Sequence, residues 1–105
     1  MLKRNITYHI SEDRIDRAYY IMSTVGIGNI VKERPAYDDK GRLGYKCFTD
    51  TGVILILNQD KTLVVTLYIA TQQQAVWVFN GKTPDWVFRT VKKNKVHLKK
   101  QNGGI

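Results

Sequence analysis

Cysteine, proline and histidine are scarce in this chain of 105 residues, and each scarcity excludes something. Cys47 is the single cysteine, so no intrachain disulfide can form, which suits a reducing cytosol. His9 and His97 stand near opposite ends of the chain, and no Cys or His pair has metal-ligand spacing. No metal or other cofactor is therefore expected. No Gly-rich loop ends in Gly-Lys-Ser/Thr, and Gly26-Ile27-Gly28 follows a helical pattern rather than a strand, so neither is a nucleotide fingerprint. No apolar run approaches the ~18 residues of a membrane span. The start, Met1-Leu2-Lys3-Arg4-Asn5, has charge with no apolar run behind it, so neither a secretory leader nor a membrane partner is expected. Acidic residues also run out, Asp85 being the last.

Positive charge is abundant and unevenly spread. Residues 82–105 carry seven of the 17 Lys/Arg and one of the nine Asp/Glu, so this block is formally +6 in a chain of net charge +8. A cationic surface of this kind attracts phosphate backbones through its field and through counterion release. Arg89, Lys92, Lys93, Lys95, Lys99 and Lys100 are the candidate nucleic-acid-binding residues. The plain alternative is a solvated helix face that suits the negative end of a helix dipole.

The pattern predicts an α+β fold: an N-terminal helix packed on a three- to four-stranded, mostly antiparallel sheet, followed by one or two C-terminal helices. Residues 1–100 read as one domain and 101–105 as a frayed tail. Ser11-Glu12-Asp13 opens the first helix, with Ile15, Ala18, Tyr19 and Met22 as its apolar stripe and Gly26 as its stop. Residues 29–33 suggest a short strand, with Pro35 and Asp38-Asp39-Lys40-Gly41 as turn signals. Residues 43–49, 53–57 and 63–70 read as strands joined by short polar turns, hence antiparallel. Val53-Ile54-Leu55-Ile56-Leu57 is apolar on both faces and should be the central strand. Strict alternation would set Leu63, Val65, Leu67 and Ile69 on one face of the third strand, and Val64, Thr66, Tyr68 and Ala70 on the other. Helices are expected at residues 72–80, stopped by Gly81, and after Thr83-Pro84-Asp85, read as a cap, a first-position proline and an acid. Deleting residues 92–105 should spare this fold. Trp77 and Trp86, in apolar surroundings, read as core, with base stacking as the alternative.

The remaining chemistry lies in His9, Arg14, Arg17, Thr66 and Tyr68. Cleavage of RNA needs no metal when a base takes the 2′-hydroxyl proton, cations stabilise the phosphorane and an acid protonates the leaving oxygen. Histidine titrates in the useful range, and arginine presents a fork of donors matched to phosphate. Plainer roles stand beside these: His9 as a surface or capping residue, Arg17 paired with Asp13 one turn away, and Thr66 and Tyr68 as ordinary strand residues.

The order of these parts resembles a known group. Tyr8-His9-Ile10-Ser11-Glu12-Asp13-Arg14-Ile15-Asp16-Arg17 precedes a meander whose last strand reads Leu63-Val64-Val65-Thr66-Leu67-Tyr68-Ile69. Across residues 5–70 this resembles small phage and mobile-element proteins of the Barnase–EndoU–colicin–RelE superfamily of metal-independent RNases and toxins. The resemblance implies His9 as acid/base, Arg14 and Arg17 as stabilisers of phosphate charge, and Thr66 as a phosphate-positioning hydroxyl. It also implies RNA as partner and a cytoplasmic endoribonuclease activity. The chain departs from that group after the meander, where residues 72–100 read as helical and no C-terminal site residue can be matched. The rival expectations are a non-enzymatic phage accessory protein that binds a host protein, and non-specific nucleic-acid binding alone.

Overall fold

The computed structural model describes the backbone of residues 7–8, 10, 12 and 15–102, and the side chains of residues 10, 12 and 15–96. The elements follow in the order β1 (Thr7–Tyr8), α1 (Ile15–Thr24), β2 (Ile30–Tyr37), β3 (Leu43–Thr49), β4 (Val53–Leu57), β5 (Leu63–Ile69), α2 (Gln72–Val78) and α3 (Asp85–Asn102). One sheet has the order β1-β5-β4-β3-β2. Strands β2 to β5 form an antiparallel meander, and the two-residue β1 adds in parallel to the start of β5. The expected α+β architecture is thus what the chain adopts.

β4 lies at the centre because it is the one strand that must be covered on both sides. Val53, Leu55 and Leu57 face α1 and build one core with Ala18, Ile21, Cys47, Val64 and Leu67. Ile54 faces the C-terminal helices and packs with Phe48, Ala75, Val78, Val87 and Val91. Burying each such side chain contributes about 1.5–3 kcal/mol relative to exposure. The two cores, one on each face, hold the sheet as the middle layer.

Four details depart from the sequence expectation. First, β2 extends through Pro35 to Tyr37 instead of ending near residue 33. It is the edge strand, where an absent N–H leaves no ladder position unfilled; the turn begins only at Asp38, whose carboxylate accepts from the Lys40 and Arg42 amides. Those bonds, the Arg42 amide foremost, hold the Asp38 carboxyl below its usual range. Second, β5 does not alternate strictly. Leu57 pairs with Val64 while Ile56 pairs with Thr66, which leaves Val65 as the extra residue of a bulge. Val64 therefore turns to the α1 side with Leu67, whereas Thr66 and Tyr68 keep the opposite face. Third, α1 buries Ala18 and Ile21, while Ile15, Tyr19 and Met22 are 42%, 68% and 40% exposed. The small Ala18 lets the helix approach the sheet, and that contact rotates the rest of the expected stripe outward. Fourth, Thr83 does not cap α3: its hydroxyl is buried without a hydrogen-bond partner among the described residues.

The other helix ends follow local chemistry. Gly26, at φ +79°, closes α1 as its amide and that of Val25 both donate to the Ile21 carbonyl. The seven-residue α2 is too short to persist alone. A capping box fixes its start: the Gln74 amide donates to Thr71 Oγ1, and the Thr71 amide donates to Gln74 Oε1.

Candidate nucleic-acid interface

Strand register decides which side chains share the α2 side of the sheet. Arg34 pairs with Lys46, Lys46 with Ile56, and Ile56 with Thr66. Directly paired residues point to the same face, so these four form one row across β2, β3, β4 and β5. With neighbouring strands about 4.8 Å apart, the row is about 14 Å long. The next row runs Lys32, Phe48, Ile54 and Tyr68.

Arg17 closes the β5 end of the first row from α1, its Nη2 lying 3.5 Å from Thr66 Oγ1. The contact is long for a hydrogen bond and holds the guanidinium loosely enough to accept another oxygen. Tyr68 is half-buried, and burial pushes its phenol above the ordinary tyrosine range, while the Arg17 charge pulls the other way. Tyr68 is thus a neutral O–H donor at physiological pH. Thr66 and Tyr68 share this face, and Arg17 lies beside Thr66.

At the β2 end the row meets α2. The Arg34 guanidinium stacks 4.1 Å from the centroid of the Trp77 ring, and Lys46 Nζ is 5.2 Å from the same centroid. Arg34 Nη1 also donates to the Trp77 carbonyl at 2.6 Å. α2 has no basic residue in its last turn, so Arg34 supplies from β2 the positive charge its C-terminal end favours. Trp77 is 38% exposed and not a core residue; Trp86 is the one that packs, 6.2 Å from Phe48. A cavity of about 230 Å³ opens between α2 and the sheet, with Lys46, Tyr68 and Trp77 in its lining.

His9 and Arg14 lie outside the described residues, as do the side chains of Lys99 and Lys100. Arg89, Lys92, Lys93 and Lys95 are exposed on α3, whose packed residues are Val87, Val91 and Asn94. At 100° per residue, Arg89, Lys92 and Lys93 lie across the helix from that packed side. This set occupies the outer surface of α3 and does not join the sheet row. Arg34 and Lys46 were absent from the sequence-derived set, and Trp77 stood there as a core residue with base stacking only as the alternative. Their convergence depends on pairing between β2 and β3 and on the docking of α2, and no local motif carries it. Arg34 stands between Glu33 and Pro35, so no alternation with apolar residues marks it as a strand position.

Among the described residues no group of three or more His, Cys, Asp or Glu gathers to hold a metal ion. Cys47 is buried beneath α1, and its thiol is pushed up to about 12 by that burial, so it is not a nucleophile at neutral pH. No helix among the described residues is long and apolar enough to cross a membrane. No family model matches this chain, and neither a curated protein nor a solved structure matches it.

Proposed function

We propose that this chain is a cytoplasmic RNA-binding protein that lays a single-stranded phosphate backbone along the row from Arg17 and Thr66 to Lys46 and Arg34. One observation carries the reading: Arg34, Lys46 and Thr66 share one sheet face beside a half-open tryptophan, and Arg17 reaches the Thr66 end of that row from α1. Arginine and lysine neutralise phosphates, threonine donates to a phosphate oxygen, and an exposed ring offers a base a stacking surface. The lysines of α3 add long-range attraction from a separate surface.

The resemblance to metal-independent RNases extends this reading to cleavage. Arg17 beside Thr66 suits a phosphate whose charge grows in the transition state, and His9 is the proton carrier that the resemblance supplies. The test is incubation of purified protein with several RNAs, ribosome-bound message included, in the presence of EDTA. Binding with release of cyclic-phosphate ends, lost in His9→Ala and Arg17→Ala, supports the enzyme. Binding with intact RNA leaves an RNA-binding protein, and absence of binding removes the whole reading.

A second reading rests on the exposed side of α1. Ile15, Tyr19 and Met22 recur at i, i+4 and i+7 and leave an apolar strip open to solvent. An accessory protein that docks on a host protein would use such a strip. Nuclease-resistant recovery of one stoichiometric partner, lost in Tyr19→Asp, would favour it over RNA binding.

A further inference from the structure

The cavity between α2 and the sheet is not needed to hold a backbone along the cationic row, and its lining has a chemistry of its own. Ile54 and Val78 supply a buried apolar floor, and Trp77 supplies an aromatic wall. The polar groups in its lining are Lys46, Tyr68, Gln73 and Gln74, and the Gln74 carbonyl oxygen is already taken by the Thr71 amide. Its volume, about 230 Å³, is below the ~300–1,000 Å³ typical of pockets for whole drug-sized ligands. One flat heterocycle fits that space better than an entire nucleotide.

The row and the cavity meet at two residues. Lys46 belongs to the row and lines the cavity. Tyr68 lines the cavity and sits one pair along β5 from Thr66, within the field of Arg17. A strand whose phosphates follow the row would therefore carry its bases past the cavity mouth. A base turned out of the stack could enter it, leaving its phosphate among the cations.

Donors dominate the edge. The Lys46 ammonium has three and no acceptor, the Tyr68 phenol has one, and the Gln73 amide adds two beside its one carbonyl. On its N7 side guanine presents two adjacent acceptors, O6 and N7, with no donor between them. Adenine sets an amino group beside its N7, uracil offers a single acceptor on the corresponding edge, and cytosine, whose O2 and N3 are also adjacent acceptors, has one ring where guanine has two to set against Trp77.

We propose that this cavity is a guanine slot, in which Lys46 and Tyr68 donate to O6 and N7 of one unpaired guanine, Gln73 completes the edge, and Trp77 covers one side. The inference rests on the RNA-binding reading and names the base that reading leaves open.

The experiment compares a short uridine oligomer with the same oligomer carrying one central guanosine, and with a third carrying 7-deazaguanosine there. Anisotropy at low salt gives the ratio of affinities for each protein. In the wild type the guanosine should tighten binding about fivefold or more, and removal of N7 should return most of that gain. Gln73→Ala and Tyr68→Phe should each lower the guanosine-to-uridine ratio toward one. Gln73 is exposed on α2 and takes no part in the capping box, so its variant should fold, with circular dichroism as the check. Equal binding of the three oligomers, or a ratio that neither variant changes, overturns the slot and leaves RNA binding standing. Failure of the wild type to bind any oligomer overturns both.

Discussion

Asn94 Nδ2 donates to the Thr51 carbonyl at 2.8 Å, tying the middle of α3 to the turn between β3 and β4. Asn94 is buried, and a Cβ on Gly52, which holds φ +85°, would sit 2.5 Å from that same amide nitrogen. The turn and the helix are thus fitted to each other. The lysine-rich end is consequently part of the fold on one side and a charged surface on the other. Deleting residues 92–105, which the sequence alone suggested would spare the fold, removes Asn94. The deletion is expected to lower stability, and Asn94→Ala alone by about 1–3 kcal/mol, because the Thr51 carbonyl loses its partner. Lys92→Gln with Lys93→Gln should leave the urea midpoint unchanged. Equal midpoints for wild type and the deletion would return the segment to the status of an appended tail.

Thr83 gives the opposite sign. Its buried hydroxyl has no partner among the described residues, and such a group costs about 1–3 kcal/mol relative to a satisfied one. Thr83→Val keeps the shape and removes the polar atom. The variant should be as stable as the wild type or more so, by up to about 1 kcal/mol, in urea titration. A clear loss would mean that the hydroxyl is satisfied in solution, by water or by a frayed first turn.

Much of this architecture is legible in local sequence because local chemistry sets it. Val53-Ile54-Leu55-Ile56-Leu57 cannot expose either face, so it must be central, and Asp50-Thr51-Gly52 can only turn. Thr66 and Tyr68 share a face through simple alternation. What escapes is non-local. Val64 changes face because β5 carries an extra residue opposite β4, and neither residue signals that. Arg34 and Lys46 align only once β2 and β3 adopt their register, and a one-residue slip of β2 would turn Arg34 to the other face. Tyr19 and Met22 read as core because they are apolar at helical spacing, yet a small sheet covers only the Ala18–Ile21 side of the helix. The candidate site was thus half visible: its β5 members through local pattern and Arg17 through the resemblance, its β2, β3 and α2 members through tertiary contact alone.

Cys47 makes stability depend on pH at the alkaline end. Burial raises its folded value to about 12 from an ordinary 9.0, so the unfolded chain loses the thiol proton first. Between those values the unfolded state binds fewer protons than the folded one, and stability falls as pH rises. The thiol's contribution is fully present below about pH 9 and is lost by about pH 12, at roughly 1 kcal/mol per pH unit. Tyr68, raised in the same direction, adds to the loss. Cys47→Ala should flatten the fall in unfolding free energy across this window, whatever it costs at neutral pH through the smaller side chain. An identical slope in the variant would assign the alkaline loss to tyrosines and lysines instead.

The cationic row makes a quantitative claim about salt. For single-stranded RNA the logarithm of affinity should fall with the logarithm of salt concentration by about 0.7 for each phosphate neutralised. Arg17 is exposed and, among the described residues, its one side-chain hydrogen bond is the long one to Thr66, so Arg17→Ala should cost little stability while making that slope shallower by about one phosphate. Lys46→Gln should do the same. Arg34→Ala should flatten the slope and also lower the melting temperature, because its guanidinium holds the Trp77 carbonyl and ring. Lys93→Gln, on the outer side of α3, tests the separate surface. If its slope changes while those of Arg17→Ala and Lys46→Gln do not, the backbone runs along α3 and the sheet row is not its path. Flattening by Arg17→Ala and Lys46→Gln that adds in the double variant would establish that the strand crosses β5 and β3 together.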